Sequence, residues 1–204
     1  MTHLETELKD IKRELLLGMN RARNAVVLSG QALLEQSSKK AERARSMALE
    51  IEHFRAVLED KCLMAFSKHQ LMAGDARFVA FVLSSLTDLE RSGDYAAHIA
   101  EDAILARGHL ETLHRLFEKL AQMLERLSLA LEREDAVLAR EVAAEDIIVD
   151  QLIEGATQRV ISGFGDLPLE TGLASLRVLR SAQRIGDHLE NIAERLGFAI
   201  SGQR

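Results

Sequence analysis

The strongest constraint on the fold is a segment that occurs twice along the chain, at residues 86–101 and again at residues 179–194, with a constant offset of 93 positions. The order of predicted elements repeats as well: two helices, a turn that includes an aspartate, and a helix that carries the segment. The chain is therefore predicted to form two similar three-helix units, residues 1–107 and 108–204, related by a pseudo-twofold axis. The recurring residues are Leu86, Arg91, Gly93, Asp94, Ile99, Ala100 and Glu101, which match Leu179, Arg184, Gly186, Asp187, Ile192, Ala193 and Glu194.

Apolar residues recur at steps of three and four through most of the sequence, which is the pattern of amphipathic helices. The chain has one proline, no tryptophan and one tyrosine, and no long alternation of apolar and polar residues indicates a strand. An all-α fold made of two three-helix-bundle repeats is predicted, with short turns and antiparallel packing. The first, third, fifth and sixth predicted helices cover approximately residues 4–34, 76–106, 135–162 and 168–199, the second runs to about residue 70, and the fourth begins near residue 109.

Short signals mark several predicted helix ends. Ser37 or Ser38 is placed to cap the second helix, and Asp75 to cap the third. Gly108 is predicted to end the third helix, and the fourth begins near His109. The fourth helix carries a regular apolar stripe, which predicts a seam against another helix. The stripe consists of Leu110, Leu113, Phe117, Leu120, Leu124, Leu127 and Leu131.

Charge and composition narrow the classes of function. The formal net charge is -6 and no basic block stands out, which argues against nucleic acid as a partner. The apolar runs are far shorter than the roughly 18 residues of a membrane span, and the first residues form no apolar signal segment. The single cysteine, Cys62, excludes an internal disulfide. These observations predict a cytoplasmic protein in which Cys62 is a buried side chain.

The repeated segment presents a row of polar side chains on one helix face, within an arc of roughly 80° at about 100° per residue. All of them carry oxygen or nitrogen atoms that can bind a metal ion. Gly93 and Gly186 lie inside the same helices, where glycine costs about 1 kcal/mol relative to alanine. A glycine kept at both places predicts close approach of another backbone or of a ligand. The rows are Glu90, Asp94, His98 and Glu101, and Gln183, Asp187, Asn191 and Glu194.

A second pair of carboxylates, Asp146 and Asp150, lies on the predicted fifth helix. If that helix packs beside the sixth, side chains from both converge, as in the metal sites of helical bundles. In the first unit Glu52 matches Asp150, but Ala48 stands where Asp146 would be. Oxygen ligands favour hard ions such as iron(III), manganese or magnesium, and the alternative is a solvated face without an ion. The candidate metal ligands are Glu52, Glu90, Asp94, Asp146, Asp150, Gln183 and Asp187.

The motif segments resemble the PhoU family. The segment 183–194 is similar to the signature Glu-Arg-Ile-Gly-Asp-His-x-x-Asn-Ile-x-Glu of that family, and residues 90–94 resemble its first copy. Residues 70–77 resemble the family's Gln-Pro-x-Ala-x-Asp-Leu-Arg turn, and residues 146–150 match its Asp-x-x-Val-Asp element. The resemblance extends over nearly the whole chain. Gln183, Ala48 and Met72 depart from the family pattern, and these departures bear on metal occupancy more than on fold or regulation.

The resemblance implies two three-helix bundles whose acidic motifs can hold multinuclear iron or other metal clusters at the surface. It implies a regulator, and not an enzyme, that acts with a phosphate-uptake ABC transporter and its sensor histidine kinase and reaches the membrane through these partners. The family represses phosphate-starvation genes when phosphate is plentiful, so negative regulation is expected here. A homodimer through exposed apolar residues at the helix ends is a further expectation.

A ferritin-like di-iron carboxylate enzyme is the alternative function. That class needs Glu-x-x-His pairs on two helices and glutamates from two others, and the ranges 50–53 and 111–114 have this spacing. Phe54 and Leu113 lie on apolar stripes next to these pairs, so the pairs are expected to flank the helix seams. This favours an interaction protein over the enzyme, and a helical scaffold without metal is the third possibility.

Overall fold

The fold is all-helical, as predicted. The computed structural model of the chain describes residues 2–107, 110–163 and 165–202. None of the helices described there is long and apolar enough to cross a membrane. The helices are α1 (His3–Glu35), α2 (Ser38–Lys68), α3 (Ala73–Asp102), α4 (Leu110–Arg133), α5 (Ala136–Ala144), α6 (Asp146–Ser162) and α7 (Leu169–Ser201).

Side-chain caps fix the beginning of several helices. The Thr2 hydroxyl accepts a hydrogen bond from the backbone N–H of Glu5, and the Glu5 carboxylate accepts one from the N–H of Thr2, which forms a capping box before α1. Ser37 accepts from the N–H of Lys40, so the predicted cap of the second helix is confirmed. Asp135 accepts from the N–H groups two and three residues later and begins α5. Each cap satisfies backbone donors that the first helical turn leaves without partners.

The ends of α3 differ from the prediction. The helix begins at Ala73, after Met72, which makes no side-chain cap bond. The predicted cap at Asp75 is therefore wrong. Asp75 lies instead in the first turn, where a carboxylate interacts favourably with the positive end of the helix dipole. The helix also ends at Asp102, earlier than predicted, because the following backbone N–H groups fold back onto the Asp102 carbonyl oxygen.

The predicted fifth helix is interrupted at one residue, Glu145, between α5 and α6. The hydrogen bonds tighten there: the N–H of Glu145 reaches the carbonyl of Val142 at 3.1 Å, and the N–H of Ile148 reaches that of Glu145 at 2.9 Å. Glu145 is buried against α4, with its carboxylate 2.8 Å from Lys119 Nζ. Asp146, the next residue, lies instead against α7. The predicted order of six helices holds with α5 and α6 taken as one interrupted helix.

Most of the predicted apolar stripe of α4 is buried. Gly108, His109 and the side chain of Leu110 lie outside the described residues. Gly30 of α1 lies against the Phe117 ring, since a Cβ there would be 2.5 Å from a ring carbon. The other stripe residues are at most 5% exposed, which confirms the seam for Leu113, Phe117, Leu120, Leu124, Leu127 and Leu131.

The helices form two units that share one core. α1, α2 and α3 pack with one another, as do α4, α5–α6 and α7, and the units meet along α3 against α7 and α1 against α4. The buried apolar residues of both units join into one cluster. Cys62 is fully buried, as predicted, and its burial, together with the charge of Glu59, raises the pKa of its thiol to about 12. The division between residues 107 and 108 stays a prediction.

The centre of the α3–α7 interface lies at Tyr95 and His188. Their rings stack with centroids 5.8 Å apart and planes inclined by 22°. Because the two residues hold the same position in the two copies of the repeated segment, the pseudo-twofold axis passes between them. His188 Nδ1 also lies 2.7 Å from an oxygen of buried Asp88. Burial acts to raise the pKa of Asp88, but the hydrogen bonds from His188 and Arg195 outweigh it and lower that pKa.

The contacts that flank this centre are related by the same symmetry. On one side Arg195 Nη1 donates a hydrogen bond to the backbone carbonyl of Ser84 at 3.2 Å. On the other side Arg177 Nε donates to an oxygen of Asp102 at 2.8 Å. The repeat offset of 93 carries position 84 on α3 to position 177 on α7, and it carries position 195 on α7 back to position 102 on α3. The first pair of positions thus becomes the second when the two helices are exchanged. A twofold axis requires this exchange, so the predicted relation between the units is confirmed.

Candidate functional site

The repeated glycines lie where the motif helices come close to their neighbours. A Cβ on Gly93 would lie 3.7 Å from the Cα of Ala48 on α2, and a Cβ on Gly186 would lie 2.6 Å from Asp146 Oδ1 on α6. The predicted close approach is therefore present in both units. Positions 48 and 146 face equivalent glycines, so Ala48 stands in the place that Asp146 takes in the second unit, as the sequence indicated.

Four carboxylates lie together beside Gly186 and form what we call the second acid cluster. Asp146 and Asp150 are on α6, and Asp187 and Glu190 are on α7. Asp146 is only 9% exposed, and its Oδ1 is buried without a hydrogen-bond partner. A buried carboxylate oxygen without a partner is rare in folded proteins and calls for an explanation.

Burial and mutual repulsion together disfavour ionisation in the second acid cluster. Burial, reinforced by the charges of Glu190, Asp150 and Asp187, raises the pKa of Asp146 to about 6. The pKa of Glu190 is raised as well, first by burial and then by Glu194, Asp187 and Asp150. Burial and like charges both disfavour the ionised carboxylate. The cluster thus holds negative charge that a cation would stabilise.

Two neighbouring side chains donate hydrogen bonds to the second acid cluster. Gln183 Nε2 donates to Asp150 Oδ1 at 3.3 Å, and Arg184 Nη1 donates to Asp187 Oδ2 at 3.0 Å. The Gln183 amide thus presents its nitrogen to the cluster. To act as the predicted neutral ligand, Gln183 would have to turn its amide so that the oxygen faces the carboxylates.

Glu190 is the member of the second acid cluster that the sequence comparison missed. The residue at the same position in the first copy is Ala97, so identity between the copies gives no signal there. Helical spacing contains the signal, because Glu190 follows Asp187 by three residues and precedes Glu194 by four. Residues at these distances are neighbours on a helix surface.

The first acid cluster consists of Glu52 on α2 and of Glu90 and Asp94 on α3, which the structure brings together as predicted. The pKa of Asp94 is raised, chiefly by burial of its carboxylate and then by Glu90 and Glu52, while His98 acts in the opposite direction. Glu90 forms an ion pair with Arg55 of α2. The first acid cluster therefore contains a cationic side chain of its own.

The two clusters differ in how well they fit a metal ion. The second offers only oxygen donors on α6 and α7, with one buried oxygen that lacks a partner, and hard cations prefer such a donor set. Each cluster has one arginine ion pair, Arg55 with Glu90 in the first and Arg184 with Asp187 in the second, but the first has Ala48 where the second has the carboxylate of Asp146. In both acid clusters, side chains would have to rotate before three donor atoms could reach one ion. Among the described His, Cys, Asp and Glu residues, only His3, Glu7 and His69 already place three potential ligand atoms within 4.8 Å of one another.

The Glu-x-x-His pairs do not form a di-iron site in the bundle core. Glu50 and His53 on α2 are exposed and line a groove beside α1. Glu111 and His114 on α4 are also exposed, and His114 lies 4.0 Å from Glu118 on the same helix. The pairs face two different parts of the surface, because the helix positions beside them are occupied by apolar core residues. This is the flanking arrangement expected from the sequence.

A two-unit helical protein with an acid cluster on each motif helix is the class that the fold and the site define. The PhoU domain family matches residues 17–103 and residues 113–196, once in each unit. The chain belongs to the PhoU family. This membership confirms that the chain is a regulatory protein and not an enzyme, so the di-iron alternative is set aside.

Relatives and solved structures agree with this assignment. The chain is 32% identical to the phosphate-specific transport system accessory protein PhoU homolog of Deinococcus radiodurans, over 98% of each chain. The structure of PhoU from Pseudomonas aeruginosa is similar, with a TM-score of 0.92 and 28% identity over 98% of this chain and 100% of that one. The phosphate transport system regulatory protein PhoU from Streptococcus pneumoniae has a TM-score of 0.91 and 25% identity over 98% of each chain.

Proposed function

We propose that this chain is a cytoplasmic accessory protein of phosphate-specific transport, an adaptor between a phosphate ABC transporter and a sensor histidine kinase that represses the starvation response when phosphate is plentiful. The observation that carries the proposal is the family match in both units. A relative described as a phosphate-specific transport system accessory protein matches this chain over nearly its full length. The protein would reach the membrane through its partners.

A surface groove in the first unit supports the adaptor role. It lies between α1 and α2, and its lining includes Leu49, Phe54 and Val57, with Glu14 and Arg21 among the charged residues at its edge. Leu49 is 68% exposed. Exposed apolar side chains with a charged rim are typical of a surface that binds another protein. We therefore expect this groove to contact a subunit of the transport system.

A deletion strain that carries a starvation-promoter reporter tests the proposal. In phosphate-rich medium the deletion should switch the reporter on, and the wild-type gene should switch it off again. The variant Leu49→Glu should fail to repress, because a charge in the groove opposes apolar contact. Leu169→Glu is the matched control, since Leu169 on α7 is 67% exposed and lies outside this groove.

The outcomes separate the two parts of the proposal. A reporter that stays off in the deletion strain contradicts the regulatory role. Repression by Leu49→Glu equal to that of wild type contradicts the groove as the contact and leaves the regulatory role standing. Crosslinking of the wild-type protein in phosphate-replete cells should recover transporter and kinase subunits, and the homodimer remains a prediction that light scattering can test.

We also propose that the second acid cluster binds a hard cation such as iron(III), manganese(II) or magnesium, and that the first binds it more weakly. Asp146, Asp150, Asp187 and Glu190 would hold the ion, with Gln183 as a neutral ligand after its amide turns. The unpartnered oxygen of Asp146 supports this proposal, because a bound cation would balance the repulsion described above. The cation would also stabilise the fold by linkage.

Metal analysis and melting test the cation proposal. Protein purified without chelator should contain metal, and manganese should raise the melting temperature of the chelated protein. Asp187→Ala should abolish most of this rise. Glu154→Ala is the control, because Glu154 is an exposed carboxylate on α6, one turn beyond Asp150. Equal rises in wild type and Asp187→Ala would identify the cluster as a solvated face.

A further inference from the structure

A second kind of metal-ligating group, which shares no residue with either acid cluster, lies where the beginning of α1 meets the end of α2. Glu7 lies between two imidazoles: Glu7 Oε1 is 3.2 Å from His3 Nδ1, and Glu7 Oε2 is 2.9 Å from His69 Nε2. The two imidazole rings have centroids 5.9 Å apart. We propose that His3, Glu7 and His69 form a binding site for a borderline divalent ion such as zinc.

The local sequence explains how three ligands reach one place. His3 and Glu7 are four residues apart on α1, so their side chains are neighbours on one helix face. His69 is the C-cap of α2, with an extended backbone and its N–H bonded to the carbonyl of Ala65. Two ligands thus come from one helix and the third from the end of its partner. Occupancy would join the beginning of α1 to the end of α2.

The distances fit a small cation. Zinc bonds to nitrogen and oxygen are about 2.0–2.1 Å long, so two ligands of a tetrahedral site lie about 3.3 Å apart. The separations of 3.2 and 2.9 Å, each measured to a different oxygen of Glu7, are close to that value. The Glu7 and His69 side chains are 24% and 22% exposed, and that of His3 is 78% exposed. Three protein ligands at the surface leave the fourth position to water.

The chemistry of this site differs from that of the acid clusters. Two imidazoles and one carboxylate suit zinc and neighbouring transition metals, whereas an all-oxygen set suits hard ions. The competing arrangement is an ion pair without metal, and Lys68 Nζ, 3.8 Å from Glu7 Oε1, favours it. Zinc would have to displace Lys68 from Glu7. The difference in ligands predicts that metal can be added to, or removed from, this site and the acid clusters independently.

Zinc titration of chelated protein without a histidine tag tests the proposal. Wild type should gain one zinc that His69→Ala and Glu7→Gln each lose. At zinc one hundred times the dissociation constant, the melting temperature of wild type should rise by about 5–10 °C. The matched control is His114→Gln, since His114 has a glutamate four residues later but belongs to no group of three ligands among the described residues. This control should bind zinc as wild type does.

Two further variants make the result specific. Asp187→Ala should keep the zinc-dependent rise, so that failure of this site and failure of the second acid cluster can be told apart. His69→Cys should restore binding and, with cobalt(II) as the probe, add a thiolate charge-transfer band, which a structural role of His69 would not produce. Zinc binding by His69→Ala equal to that of wild type, or an equal loss in His114→Gln, would overturn the proposal.

Discussion

The two acid clusters occupy equivalent places in the two units, yet their charges are balanced differently. In the first, Ala48 lies against the glycine and Arg55 pairs with Glu90. In the second, Asp146 takes the place of Ala48, and the buried residue Ile153 takes the place of Arg55. Each cluster therefore has one arginine ion pair, Arg55 with Glu90 in the first and Arg184 with Asp187 in the second, but the second has gained a carboxylate and has no arginine at the position of Arg55.

This difference shows that the helix packing is the same at the two clusters while the charged side chains are not. Gly93 and Gly186 both lie where a motif helix comes close to its neighbour, whichever residue lies opposite. The charge at the site depends on a few side chains that can change while the backbone stays the same. The second acid cluster is thus the one that an external cation would stabilise, and the sharpest tests compare equivalent positions in the two units.

The largest effect is expected from Asp146→Asn. The pKa of Asp146 in the folded protein is about 6, above the ordinary value of about 3.9. The fold therefore favours the protonated carboxyl, and this stabilisation is lost as the pH rises from about 4 through 6. Without metal, the variant should match wild type near pH 4 and exceed its unfolding free energy by about 2–3 kcal/mol at pH 8.

Urea unfolding in chelator, at several pH values, measures this difference. Glu154→Gln is the control, because it removes an exposed carboxylate from the same helix and should change the pH dependence little. A difference between wild type and Asp146→Asn that stays constant from pH 4 to pH 8 would show that Asp146 titrates normally. The difference between Asp146 and Ala48 at equivalent positions would then not explain any difference in charge between the two clusters.

A smaller effect is expected from replacing the equivalent glycines. In Gly186→Ala the new Cβ would lie 2.6 Å from Asp146 Oδ1 and 3.1 Å from Val149 Cγ1, which should lower the unfolding free energy by about 1–3 kcal/mol. In Gly93→Ala the nearest atom is Ile51 Cδ1 at 3.0 Å, the end of a flexible side chain. The better helix propensity of alanine, about 1 kcal/mol, should offset that contact.

A double-mutant cycle identifies the cause. Asp146→Ala should recover much of the stability lost in Gly186→Ala, because it removes the nearest opposing atom. Chemical denaturation of the single and double variants gives the coupling. Equal costs at Gly93 and Gly186 would mean that the two helix contacts are packed alike, despite the different residues opposite them.

Regular features of the fold could be predicted from the sequence alone. The helical stripes depend on local spacing, and the repeat and its two glycines can be found by comparing one half of the sequence with the other. The cap at Ser37 is also local and was predicted, whereas the cap at Asp75 was not borne out, because α3 begins earlier. The break at Glu145 coincides with an ion pair between Glu145 and Lys119 of α4, a contact that no local pattern predicts.

The same limit applies to the candidate site. Asp146 and Asp150 could be assigned to one helix face by their spacing, and Asp187 was expected beside them if the fifth and sixth predicted helices packed together. Arg55 was missed, because its contact with Glu90 joins two helices and appears in no motif. Charge balance depends on such contacts between elements. Spacing therefore identified most of the carboxylates of both clusters, but not the cationic side chain of Arg55 beside them.

The smallest effect is expected from Arg55→Gln in the first unit. The Arg55 and Glu90 side chains are 34% and 20% exposed, and an ion pair of this kind contributes at most about 1 kcal/mol. Its loss should nevertheless make the first acid cluster more negative, and manganese should bind there up to about tenfold more tightly.

The manganese titration needs Asp187→Ala as background, so that binding at the second cluster does not mask that at the first. Arg45→Gln, which breaks an exposed pair on the same helix, should leave the affinity unchanged. If manganese binds Arg55→Gln no more tightly than the background protein, Arg55 does not control the charge of the first acid cluster.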